Sequence, residues 1–214
     1  QEGLFEPAIQ DLNHAIRLDP RNVDAYVELG NVYSRLGNAA DAIENYSQAI
    51  DLDPENPTLY FFRGVAFREF GEVELAIEDL NRALALGLQS SIVFSQRGIA
   101  YIDIGDHAAA ISDFDRAIDL GFEDVPINLR RGVYNNRANE QQSALQQNST
   151  VFLNRGISHN AMGDHVAASR DLERAVAMYD RAVLNNPQDA NARYFRGVAY
   201  FEMGEYAQAI SDYD

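Results

Sequence analysis

Residues 23–56, VDAYVELGNVYSRLGNAADAIENYSQAIDLDPEN, carry the pattern that orders the rest of the chain. Tyr26, Leu29, Gly30 and Tyr33 stand at i, i+3, i+4 and i+7, one face of a helix, and Ala42, Ile43, Tyr46, Ala49 and Ile50 form the matching face of a second. Gly37 lies between them, where freedom at φ > 0 ends the first helix without steric cost. Gly30, Ala42 and Ala49 are small enough to let two backbones approach, while Tyr26, Tyr33 and Tyr46 fill the remaining space. The stretch is predicted to be helix, tight turn, helix, packed as an antiparallel pair.

The same reading repeats along the chain. Gly30, Gly64, Gly98 and Gly132 are spaced by 34 residues, which gives full units at 23–56, 57–90 and 91–124. Gly71 and Gly105 repeat the turn; the second helix is stopped by Asp53-Pro54 in one unit and by Gly87 or Gly121 in the next two. In such a stack each unit buries its apolar face against its neighbours, so length counts repeats and not domains. The fold class expected is all-α.

Composition agrees: 46% of the 214 residues are hydrophobic, 23% are charged and only 6 are Pro. The net charge of -16, from 33 acidic against 17 basic residues, disfavours nucleic acid, whose binding needs clustered cations. It also disfavours anionic membrane surfaces, and no run of about 18 apolar residues exists, so direct membrane insertion is not expected. With no Cys there is neither a disulfide framework nor thiolate chemistry, which leans toward a reducing, cytoplasmic compartment without excluding a periplasmic one.

Tyr26, Leu29-Gly30, Tyr33, Gly37, Ala42, Tyr46, Ala49 and Pro54 together resemble the tetratricopeptide repeat. The resemblance extends over nearly the whole chain: Gly3, Ala8, Ala15 and Pro20 place 1–22 at the end of an earlier repeat, and Tyr200, Gly204, Ala209 and Tyr213 make 190–214 the start of a last one. It implies a right-handed α-solenoid of antiparallel helix pairs. Because both ends fall inside a repeat, a piece of a longer protein with apolar end faces is expected.

The period slips twice. From Gly132 to Gly156 is 24 residues, so 125–148 reads as a short, degenerate repeat whose second helix shrinks to about Glu140–Asn148. From Gly156 to Gly197 is 41 residues, so 149–189 reads as a repeat with an extended second helix. There Ala168, Leu172, Ala175, Val176, Tyr179, Ala182 and Val183 stay in phase, because seven residues are about two turns with a drift near 20°. One helix over about Val166–Leu184 is expected; the alternative is a junction at which sequence is missing.

Arginine precedes glycine at Arg63, Arg97, Arg131, Arg155 and Arg196, and repeats with that arginine and a full second helix carry Asp sixteen residues later, at Asp79, Asp113, Asp171 and Asp212. The unit with Leu29 has Asn45 instead. Charge appears and disappears together, which predicts a guanidinium–carboxylate strut inside each pair, worth about 0.2–1 kcal/mol if partly exposed. The alternative is an arginine ladder for an acidic ligand. Asp106-His107 and Asp164-His165 occupy equivalent repeat positions, so these histidines read as turn residues; no metal site, cofactor or catalytic machinery is expected.

The resemblance implies a concave wall lined by first helices. Carried over, it includes Asn31, Phe61, Phe62, Val65, Gln96, Ile99, Ile102, Arg130, Arg137 and Asn154, with Tyr194, Phe195, Val198 and Phe201 closing the series. Phe61, Phe62, Ile99 and Ile102 are surplus to the repeat code, which marks them either as partner anchors or as packing between neighbouring first helices. A carboxylate clamp is absent, since its positions hold Val27, Asn31, Phe62, Ile92 and Gln96, and Asn154 alone matches an asparagine ladder. The function expected is a non-enzymatic scaffold holding a peptide or helix of a partner protein. A regulatory or substrate-presenting region of a larger enzyme, or a scaffold that self-associates, are the alternatives.

Overall fold

The computed structural model describes residues 5–121 and 140–214, and side chains outside 140–147. Its contacts divide the chain into two compact units, one holding the helices up to residue 89 and the other those from residue 90 onward.

The first unit contains α1 (Phe5–Leu18), α2 (Val23–Arg35), α3 (Ala39–Leu52), α4 (Pro57–Phe70) and α5 (Val73–Ala85). Starts and stops follow local chemistry. The side chains of Asn22, Asn38 and Asn56 accept from the backbone N–H of Ala25, Asp41 and Thr58, satisfying donors that a first turn leaves open. At the far end of α4, Gly71 takes φ 96°, and the Glu72 N–H closes back on the Phe67 carbonyl at 2.9 Å.

The pairs α2/α3 and α4/α5 are set by what faces each first-helix glycine. A Cβ on Gly30 would lie 2.6 Å from Tyr46 Cε1, so the ring occupies the space where any other residue would carry its side chain. Tyr46 is 1% exposed between Ala42 and Ala49, and its other face stacks on Phe62 of α4 at 5.6 Å. One residue thus joins its own pair to the next. At Gly64 the facing group is Leu80, 3.1 Å from the same virtual atom.

The second unit contains α6 (Ser91–Asp103), α7 (His107–Leu120), α8 (Glu140–Ala161), α9 (His165–Asn185), α10 (Ala190–Glu202) and α11 (Tyr206–Tyr213). Gly98, Gly156 and Gly197 meet Phe114, Leu172 and Tyr213 in the same way. Asp106 and Asp164 are the N-caps of α7 and α9, each accepting from a backbone N–H at 3.0 Å.

The short separate helix expected at Glu140–Asn148 is not there. Residues 140–161 form one helix of 22 residues, because nothing between Glu140 and Arg155 is Gly or Pro to stop it and its front turns are rich in Gln, a good helix former. Helix α9 has 21 residues. Tyr179 Oη lies 3.4 Å from Thr150 Oγ1, so the added turns of α9 run beside the front of α8 and the two form a long hairpin. The two roles of Tyr46 are divided on α9: Leu172 faces Gly156, and Tyr179, seven residues on, stacks on Phe195 of α10 at 6.0 Å.

Replacing Gly30 with Ala is expected to destabilise the protein by about 1–3 kcal/mol, because the buried Tyr46 ring cannot move aside. Gly37→Ala, where nothing lies within 4 Å and only the φ of 74° is strained, should cost about 1 kcal/mol. Urea unfolding of the two variants checks the order; equal losses would contradict the ring contact.

Candidate partner-binding wall and its arginine struts

Four first helices, α4, α6, α8 and α10, aim an arginine across the pair. Arg63 Nε and Nη2 donate to the two oxygens of Asp79 at 2.7 and 2.9 Å, and Arg97 donates likewise to Asp113 at 2.7 and 2.6 Å. Arg155 holds Asp171 at 2.6 and 2.7 Å, and Arg196 holds Asp212 at 2.8 and 2.5 Å. The carboxylates are nearly sealed, with Asp79, Asp113, Asp171 and Asp212 at 6, 4, 2 and 9% exposure. Two parallel bonds need a planar fork, and the chain's basic residues are all arginine, with no lysine.

The remaining guanidinium N–H groups reach the preceding second helix. Arg63 Nη1 donates to Ser47 Oγ at 3.1 Å, Arg155 Nη1 to Asp115 at 2.5 Å and Arg196 Nη1 to Asp180 at 2.7 Å. These arginines therefore bind three helices. The Asp113 hydrogen bond raises the Arg97 pKa above its ordinary value against the opposing effect of burial. Aromatic rings complete the strut: Tyr60 lies within 6 Å of Arg63 and Arg82, Phe94 of Arg97 and Arg116, and Phe152 of Arg155 and Arg174. Where Leu29 replaces the arginine, Asn45 turns back to the Asp41 carbonyl, and Tyr46 Oη donates to Asn31 Oδ1 at 2.9 Å.

The wall differs from its expected form. Phe61, Phe62, Val65 and Gln96 are 0, 6, 4 and 4% exposed, so they are packing residues and not open anchors. The cause is visible in the first unit, where Phe62 stacks on Tyr46 and Phe61 leans on Phe62 at 5.7 Å. Ile99, Ile102, Asn31 and Asn154 remain partly exposed, Asn31 being already engaged by Tyr46. Arg130 and Arg137 lie outside the described residues. Tyr194 and Phe201, which the carried-over wall includes but the candidate set omits, are more than half exposed.

The first-unit wall carries both signs of charge, with Glu28 and Glu69 near Arg35 and Arg68. Burial pushes the Glu69 carboxyl up, opposed by Arg68 and a hydrogen bond with Ser34. Burial likewise raises the Tyr46 phenol, helped by Glu69 and Glu28. Among the described residues no group of three or more His, Cys, Asp or Glu is placed to hold a metal ion, and no helix is long and apolar enough to cross a membrane.

The pattern of the family described as tetratricopeptide repeat matches residues 27–90 and 160–214, more than half of the chain, and related repeat patterns match 1–37 and 93–120. The chain belongs to the tetratricopeptide repeat family. No curated protein matches it. Among solved structures, MamA is 22% identical over 85% of this chain and 92% of its own, with a TM-score of 0.67. A tetratricopeptide repeat protein from Parabacteroides merdae is 22% identical over 99% of this chain and 72% of its own, at 0.65. YrrB, described as a TPR protein with an unusual peptide-binding site, is 18% identical over 94% and 88%, at 0.54. At these identities the likeness shows the fold. Tetratricopeptide repeats of this kind form a scaffold for protein interaction, and the struts hold its helix pairs in register.

Because Asp113 is sealed, Arg97→Ala strands a buried carboxylate and is expected to cost about 3 kcal/mol. Replacing both partners, Arg97→Met with Asp113→Leu, should return stability to within about 1 kcal/mol of the parent by urea unfolding. A double variant as unstable as Arg97→Ala would show that the pair itself is needed.

Proposed function

We propose that the chain is a non-enzymatic scaffold that holds a peptide or short helix of a partner protein against its first-helix face. The observation that carries this reading is Ile99 with Ile102 on α6. Both remain partly exposed although the core of their pair is already filled by Gly98, Ala110, Phe114 and Ala117. Apolar side chains left over from a repeat's own packing are what a docking partner covers. Asn154 on α8 adds a polar group on the same face of its repeat, and Arg130 and Arg137 fall at equivalent sequence positions for acidic or backbone groups of the ligand. The peptide-binding site ascribed to YrrB, a protein of the same fold, supports the assignment.

Peptides selected on the protein from a displayed random library are expected to lose at least tenfold in affinity on Ile99→Asp with Ile102→Asp. Covering two isoleucines contributes about 1.5–3 kcal/mol each when complete. Circular dichroism should be unchanged by the substitutions. Peptides that bind parent and variant alike would refute the assignment.

A further inference from the structure

The arginines of α9 are unlike the struts. Arg170, Arg174 and Arg181 are exposed, and among the described residues none of them is in an ion pair. Arg170 and Arg174 are one turn apart, a like-charge pair that destabilises a helix, and Arg181, eleven residues from Arg170, returns to about the same angle. The carboxylates nearest in sequence are already taken: Glu173 accepts from Ser169 Oγ at 3.0 Å, Asp171 is sealed under Arg155, and Asp180 holds Arg196. Arg174 rests on the Phe152 ring at 5.4 Å, which places its guanidinium against α8 while the residue stays exposed. In a chain of net charge -16, three cations thus share one line of a helix with no anion of the chain set against them.

A line of apolar residues borders this one. Val166 and Leu184 are eighteen residues, five full turns, apart and so stand at one angle of α9, with the exposed Ala177 between them; Val166 is 73% and Leu184 81% exposed. The arginines lie along one side of that line, and Glu173 and Asp180 along the other. This face is open within the stack. Asp180 takes Arg196 of the next pair as Asp115 takes Arg155 and Ser47 takes Arg63, so Arg181 and Leu184 stand where Arg116 and Asp119 stand on α7 and Gln48 and Asp51 on α3. All four of those residues are exposed with a complete helix pair following them.

We propose that this face of α9 is a docking surface for an acidic amphipathic helix of a partner protein. The apolar stripe of the partner runs along Val166, Ala177 and Leu184, a length of about 27 Å, and its Asp or Glu side chains reach Arg170, Arg174 and Arg181 from one flank. Glu173 and Asp180 repel carboxylates on the other flank, so the partner's acidic residues lie on one side only. Nucleic acid fits less well, because the arginine line is bordered by exposed aliphatic side chains and then by two carboxylates. The surface uses neither Ile99 nor Ile102 and does not depend on the wall being occupied.

The test uses two fluorescent 21-residue helices with a leucine stripe, one flanked by glutamate and one by arginine, followed by anisotropy at 0.15 M and 0.5 M salt. The glutamate peptide is expected to bind, more weakly at high salt, and the arginine peptide not to. Arg170→Gln with Arg181→Gln should weaken binding at least fivefold and flatten its salt dependence, with circular dichroism unchanged. Val166→Ser with Leu184→Ser should weaken it at both salt concentrations. Ile99→Asp with Ile102→Asp should leave it unchanged, so failure of the wall reading and failure of this one are distinguishable. Equal binding of the two peptides, no effect at Arg170 and Arg181, or loss at Ile99 and Ile102 would overturn the proposal. So would a 20-nucleotide oligothymidylate that binds as tightly as the glutamate peptide, or a dimer in sedimentation that Arg170→Gln with Arg181→Gln dissolves.

Discussion

The structure depends on the contact between a first-helix glycine and the side chain that faces it from the second helix. At Gly30 and Gly197 the facing tyrosine ring comes so close that a methyl group would not fit. Two helices held at that distance have little freedom to slide, so the remaining contacts of the pair follow from one small residue and one large one. The arginine struts act on an arrangement already close-packed. They place a guanidinium over a nearly sealed carboxylate and extend the constraint to the preceding helix, through Ser47, Asp115 or Asp180. A charge pair of this kind contributes more to register than to net stability, since its desolvation offsets much of its attraction.

Much of this is written in the sequence, because a repeat supplies its own internal comparison. The 34-residue spacing of four glycines identifies helix pairs without any reference to the structure. The change from Arg and Asp to Leu29 and Asn45 records a contact between two positions sixteen apart. The accessibility of the wall is less legible. Whether Phe62 is open depends on the residue that the preceding pair presents to it, and Tyr46 covers it. A position code assigns a face to a residue but does not say how large its neighbour is.

The second slip in the period shows how a stack absorbs a change in length. At α3 a single residue, Tyr46, faces both its own glycine and the next first helix; on α9 these duties fall to Leu172 and Tyr179, two turns apart. The polar partners move with them, Asp171 toward Arg155 and Asp180 toward Arg196. Ring and carboxylate travel as a set, and the following pair joins α9 through the same chemistry as elsewhere.

The long hairpin of α8 and α9 therefore behaves as an adjustable spacer. Insertions of seven residues return a helix nearly to the same rotational phase and advance it by about 10 Å, so a repeat array can change its step without redesigning the modules on either side. A lineage that gains or loses such heptads would alter the distance between binding faces while each face keeps its composition. Reach and recognition can then evolve independently.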